Sequence, residues 1–163
     1  MSGSSGMDRI CSFCGAVMPP GMESCSDTLK AFAERAWPTC QSNRVILIPN
    51  HCWSLQHPTL QTPQDIAWDL MFLCRWVGFD DRAGNGLPLF QEREWLEECP
   101  AFPYLYPSGH LGALTVSDLY WTTTEEGSES LVDSWASSVW EAWSDYHAWA
   151  HAQVRRFFVR DQA

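Results

Sequence analysis

The segment ICSFCGAVMPPGMESC, residues 10–25, limits what this chain can fold into more than any other stretch. Cys11 and Cys14 have two residues between them, Gly15 follows, and Cys25 comes ten intervening residues after Cys14. Two intervening residues let one tight turn present both sulfurs at tetrahedral spacing, and a glycine after them takes the angles that aim N–H groups at sulfur. Pro19, Pro20 and Gly21 turn the chain between the pair and the third thiol. Cys25 also precedes a predicted helix, whose N-terminal positive charge favours the thiolate. The pattern reads as a structural zinc site; a redox pair at Cys11 and Cys14 and a chance clustering are the competing readings. His57, in SLQHP, is the first choice for a fourth ligand, because Pro58 fixes its backbone and it has no evident apolar role; Cys52, Cys40 and His51 are the alternatives. A histidine at a helix end can also serve the last carbonyls with no metal present.

The remaining cysteines offer no disulfide framework. Seven is an odd number, and Cys40, Cys52, Cys74 and Cys99 stand at no repeating spacing. The first residues, MSGSSG, lack the basic and apolar regions of an export signal, so reduced thiols in a cytoplasmic protein are expected. Residues 1–6 read as a flexible leader or expression remnant with Met7 as a start, and 7–163 as one domain carrying the knuckle at 11–25. A net charge of −10 argues against nucleic acid and anionic membrane surfaces as partners. The richest apolar run, Ile66 to Phe79, contains Asp69 and Arg75 and is too short to span a bilayer.

Periodicity predicts helices and no sheet. Leu29, Phe32, Ala33 and Ala36 mark a helix over 28–37, ended by Pro38. The run VILI is ambiguous, and Pro49 at a first turn favours a helix over 49–57. A third helix has Thr62 as cap, Pro63 first, Asp65 in the first turn, a buried stripe of Ile66, Leu70, Leu73, Cys74 and Val77, and Gly78 to close it. Residues 80–86 read as a loop, 88–98 as a short helix, and CPAFPYLYPSGHLG as an ordered aromatic loop packed on the helices. Thr115 and Asp118 mark the start of another short helix. Leu131, Trp135, Val139, Ala142, Tyr146, Trp149 and Phe157 predict one long helix over 130–158. The fold class is an all-α helical bundle with a small N-terminal zinc-knuckle-like cap and a Pro/aromatic-rich loop.

A second set of polar residues has a possible chemistry. His147 and His151, four apart on the last predicted helix, project about 40° from one another, with Trp140 and Trp143 on the same side. Asp69 is a carboxylate inside an apolar helix, and His51 could join it. A histidine pair with a carboxylate from a facing helix is a ligand set of bundle metalloenzymes. The plainer reading is a wet-side or indole-bonded Asp69 and a solvated histidine pair. Motifs for a nucleophile elbow, a phosphate loop or HExxH are absent.

The blocks CxxCG at 11–15, Cys25, LQHP at 55–58, GALTV at 112–116 with Asp118, and WAxxVWxAWxxxH at 135–147 resemble, in this order, the bacterial domain of unknown function 5946. The resemblance covers nearly all of the chain after Met7 and implies a small helical protein of unassigned activity. It further implies an aspartate where His51 stands, a histidine where Asp69 stands, and a histidine where Ile46 stands. An exchange that keeps one acid and one imidazole supports a shared polar cluster at the first two positions, while Ile46 departs from the family's pattern.

The expected function is therefore a zinc-stabilised, tryptophan-rich domain that binds a protein or small-molecule partner through an acidic surface or an aromatic groove. The alternative is a metal-dependent, hydrolase-like enzyme with His57, Asp69 and His147 around an open coordination position.

Overall fold

The computed structural model describes residues 9–38, 40, 43–79, 98 and 100–158. The expected 80–86 loop and the 88–98 helix, apart from Glu98, lie outside the described residues, as do Cys99 and the leader. What is described is all-α: the one sheet-like feature is an antiparallel bridge between Ile10 and Val17 that closes the N-terminal hairpin. No helix among the described residues is long and apolar enough to cross a membrane.

Helix α1 runs Cys25–Ala36. It begins three residues before the expected start because Ser24 is the cap, its Oγ accepting the Asp27 N–H at 3.0 Å. Cys25 thereby becomes the first helical residue, its position set by the cap and its thiol aimed inward.

Helix α2 runs Asn43–Gln56, so Pro49 lies inside it rather than in a first turn, and VILI is helical. A mid-helix proline costs about 3 kcal/mol through its missing N–H and the clash with the preceding turn. The extra turns bury Val45 and Ile48 almost completely in line with Cys52 and Leu55. Two such burials contribute about 1.5–3 kcal/mol each, which offsets the proline. Beside the gap in the backbone ladder, the Asn50 side-chain amide donates to the Ile46 carbonyl at 3.0 Å. A 3-10 turn, Pro58–Leu60, follows His57.

Helix α3, Pro63–Leu73, starts at the expected Thr62 cap, which closes a capping box with Asp65, and widens into a π-helical turn over Cys74–Gly78. The loop after residue 100 is ordered as expected. Phe102 presents edges or faces to Trp143, Tyr146 and Trp149 at 5.1–5.6 Å, and the Tyr146 hydroxyl donates to the Leu105 carbonyl at 2.6 Å. Helix α4, Val116–Tyr120, carries the Thr115–Asp118 box, and α5, Glu125–Ala142, is capped by Thr124 with Glu125 and Glu126 in its first turn.

The long C-terminal helix is broken. After α5 come a 3-10 turn, Ser144–Tyr146, and α6, His147–Phe158. An unbroken helix over 130–158 would extend about 44 Å, beyond the body of a small domain. Trp143 leaves helical angles (φ −102°, ψ 19°) and is wholly buried, its indole N–H donating to the Leu55 carbonyl at 3.3 Å. The His147 ring Nε2–H donates to the Trp140 carbonyl at 2.8 Å, which also accepts the Trp143 N–H at 3.0 Å, so both close the end of α5. The break lets α6 lie against α3 and the π turn while α5 packs on α2. Helix α2, touching α1, α3 and α5, is the centre of the bundle.

Candidate metal centre

The N-terminal hairpin is held by three backbone bonds: Cys11 N–H to the Ala16 carbonyl, Gly15 N–H to the Cys11 carbonyl, and Met18 N–H to the Arg9 carbonyl, at 2.8–2.9 Å. Gly15 has φ +75°, and a Cβ there would lie 2.8 Å from the His110 ring, so both conformation and space require glycine. This turn places Cys11 and Cys14 on one side. Helix α1 supplies Cys25 from its first position, and His57 enters from the junction between α2 and the 3-10 turn.

The four side chains meet: their ligand atoms, three Sγ and one imidazole nitrogen, all lie within 4.8 Å of one another. The shorter edges are Cys11 Sγ to Cys25 Sγ at 3.4 Å, Cys25 Sγ to His57 Nε2 at 3.1 Å, and Cys11 Sγ to His57 Nε2 at 3.4 Å. A tetrahedral ion with sulfur at about 2.3 Å and nitrogen at about 2.0 Å needs edges of about 3.8 and 3.5 Å, so these three edges would each lengthen by a few tenths of an ångström around an ion. A disulfide would bring sulfurs to about 2.05 Å, and each of the six described cysteines is free. These residues lie close enough to bind a metal ion. Cys14, Cys25 and His57 are buried, and Cys11 is half-buried.

Sequence reasoning missed Trp53, which touches the site in three ways. Its indole N–H donates to Cys25 Sγ at 3.3 Å, its ring stacks on His57 at 4.4 Å, and its carbonyl accepts the His57 Nδ1–H at 2.6 Å. The last bond fixes the tautomer that turns Nε2 toward the sulfurs, the usual outer support of a metal-bound histidine. The available signal was its place four residues before His57, one turn back on the same helix face.

In the metal-free protein the four donors share protons unequally. The hydrogen bond from Cys14, with further bonds from His57 and Trp53 opposing burial, lowers the Cys25 thiol to about 3. The same bond to Cys25, reinforced by burial, pushes the Cys14 thiol far above its ordinary range. Burial pulls His57 down, but its bonds to Cys25, the Trp53 carbonyl and Cys11 outweigh that and raise it to about 9. At neutral pH the metal-free cluster thus contains a Cys25 thiolate, a Cys14 thiol and a His57 imidazolium. Metal uptake requires thiolate and neutral imidazole, so binding at pH 7 is expected to release at least two protons, from Cys14 and His57. Affinity should rise at least about a hundredfold per pH unit between pH 6 and 8 and weaken toward acid. Calorimetry in buffers of differing ionisation enthalpy reads the proton count, and a count of zero contradicts the assignment.

The alternatives for the fourth position lie elsewhere. Cys52 is fully buried, its thiol pushed well up by burial and by Asp69, while Cys40 and His51 are outside the group. The second set is divided between two places. His51 Nδ1 meets Asp69 Oδ1 at 2.6 Å, and Ser54, which sequence reasoning did not single out, donates its hydroxyl to Asp69 Oδ2. Burial raises the Asp69 carboxyl and those two bonds pull it back. His147 instead stacks on Trp140 at 3.7 Å, and His151 sets its Nδ1 3.6 Å from Cys74 Sγ. Among the described residues the N-terminal four are the only group of three or more Cys, His, Asp or Glu side chains whose ligand atoms converge. Trp140 does contact both His147 and His151, whereas Trp143 turns inward to Leu55.

An all-α domain whose first two helices are tied to a hairpin by a Cys3His donor set is the class of protein that fold and site define. The chain belongs to the family of unknown function DUF5946, whose model matches residues 9–144, a span holding all four donors and ending before α6. No curated protein and no solved structure matches it.

Proposed function

We propose that the ion is zinc, that its role is structural, and that the domain works by binding a protein or small-molecule partner. The observation that carries this reading is that the protein itself supplies four converging donors. Structural zinc is closed in this way, whereas catalytic zinc keeps a position for water. A net charge of −10 favours a basic partner over nucleic acid or an anionic membrane. Leu105, 89% exposed, and Trp121, 64% exposed, supply apolar contact area. Free thiols suit a reducing compartment such as the cytoplasm.

The hydrolase-like alternative requires donors that are engaged elsewhere: His57 faces the sulfurs, Asp69 holds His51 and Ser54, and His147 Nε2 holds the Trp140 carbonyl. Elemental analysis separates the two. The proposal expects one zinc per chain, absent from Cys14→Ser and retained in His147→Ala. A second, exchangeable metal lost in a folded His147→Ala variant would favour the enzyme instead.

A further inference from the structure

The four donors differ in what can reach them. Cys14, Cys25 and His57 are buried, whereas Cys11 is half-buried. Cys11 sits on the hairpin, which is closed by one antiparallel bridge. Cys25 is fixed in the first turn of α1, and its sulfur accepts the Trp53 indole N–H at 3.3 Å. The two sulfurs are nonetheless neighbours, Cys11 Sγ lying 3.4 Å from Cys25 Sγ. A disulfide needs about 2.05 Å, so a movement of the hairpin by about 1–1.5 Å would join them. Other described thiols are placed differently: Cys52 and Cys74 are wholly buried, and Cys40 lies outside the group. One sulfur open to solvent, with a second held behind it, is the arrangement of an attacking and a resolving thiol.

We propose that Cys11 is a peroxide-oxidation site, that Cys25 resolves it, and that the resulting disulfide expels the zinc; this rests on the structural-zinc reading above. Metal binding keeps both sulfurs deprotonated, and burial of the others leaves Cys11 the sulfur that a small oxidant meets first. The Cys11 thiolate attacks one oxygen of hydrogen peroxide, the O–O bond breaks, and hydroxide departs, leaving Cys11 as the sulfenic acid. The Cys25 thiolate then attacks that sulfur, the S–O bond breaks, and a second hydroxide departs. Two protons from solvent turn the hydroxides into water. Two electrons thus pass from the sulfur pair to peroxide, and the zinc ion keeps its charge. Zinc is left with Cys14 and His57 alone, half of a tetrahedral set, and dissociates. A dithiol reductant reverses the step by exchange at the accessible Cys11 sulfur, after which the four donors are restored.

The test uses the full chain, reduced and zinc-loaded, with hydrogen peroxide at neutral pH. Zinc release, read with a coloured chelator against a peroxide-free control, should run about tenfold faster than peroxide oxidises glutathione, a thiol only a few per cent ionised there. Each zinc lost should accompany the loss of two thiols, and non-reducing peptide maps should join Cys11 to Cys25. Dimedone present with the peroxide should trap the sulfenic acid on Cys11 in the wild-type chain, without any variant having to fold. Cys11→His keeps four donors and should hold its zinc under the same peroxide, whereas Cys40→Ser should release it as the wild type does. Dithiothreitol with added zinc should restore both thiols and metal. A chain that holds no zinc before peroxide is added removes the structural-zinc reading and the switch with it. A chain that holds zinc overturns the switch alone if release is no faster than glutathione oxidation, if the bond formed is Cys11–Cys14, or if dimedone marks another cysteine first.

Discussion

Chelating the metal is expected to cost the protein more stability than any single side-chain replacement outside the donor set, and Cys14→Ser should reproduce the loss. The apparent free energy of zinc in small structural sites is about 10–16 kcal/mol, as large as the whole stability of a typical domain at about 5–15 kcal/mol. The connections explain where the loss falls. Cys11 and Cys14 belong to a hairpin with one bridge of its own, Cys25 begins α1, and His57 directly follows α2. Without the ion those elements keep the pairing of the Cys25 thiolate with the His57 imidazolium, but three sulfurs then crowd one another with no metal ion to bind them together. The hairpin and α1 should unfold first, and α2 should loosen at its C-terminal end. A loss of even 5 kcal/mol corresponds to about 10–20 °C in a domain of this size. Circular dichroism at 222 nm, followed on heating with and without chelator, checks it. An unchanged spectrum and midpoint after verified metal removal would contradict the structural role.

The donor set was legible because its parts are local. Two thiols in one turn, a glycine behind them and a proline fixing the backbone after His57 are written in short stretches of chain, and each element only had to deliver one residue to a common point. Capping was equally legible at Thr62 and Thr115, where the partners stand three residues on. The misreadings are long-range. Pro49 obeys its local preference for a helix start unless Val45 and Ile48 have a core to enter, and the facing helices decide that. The break at Trp143 leaves the apolar spacing of the segment intact, and its cause, the Leu55 carbonyl, lies 88 residues away in sequence. His147 and His151 looked like a pair on one continuous helix; the break places His147 at the start of α6, where its ring serves the end of α5. Ser54 and Gln56 carried no pattern of their own, since a lone polar residue on a helix is most often solvated.

Gln56 is expected to be the most sensitive residue outside the four candidate metal donors. It is 1% exposed and uses its whole amide: Nε2 donates to the Leu111 carbonyl at 2.9 Å and to the Leu114 carbonyl at 2.8 Å, while Oε1 accepts the Trp135 indole N–H at 3.1 Å. One side chain thus ties α2, the loop entering α4, and α5 together. Gly112 sits over this junction at φ +115°, where a Cβ would come within 3.2 Å of Gln56 Nε2 and 3.0 Å of Ser138 Oγ, so the loop closes on the amide with no room between. Gln56→Met keeps the length and removes every polar atom, leaving two carbonyls and one indole N–H buried without partners. Each unsatisfied group costs about 1–3 kcal/mol, and because the three share one site the sum is expected at about 3–5 kcal/mol rather than the full total. The urea midpoint should fall with the slope unchanged, and the metal content of the folded protein should equal that of the wild type, which separates this loss from failure of the neighbouring His57. If Gln56→Met stays within about 1 kcal/mol of the wild type, the amide clasp is not what holds the loop to the bundle, and water or a shifted backbone satisfies those carbonyls instead.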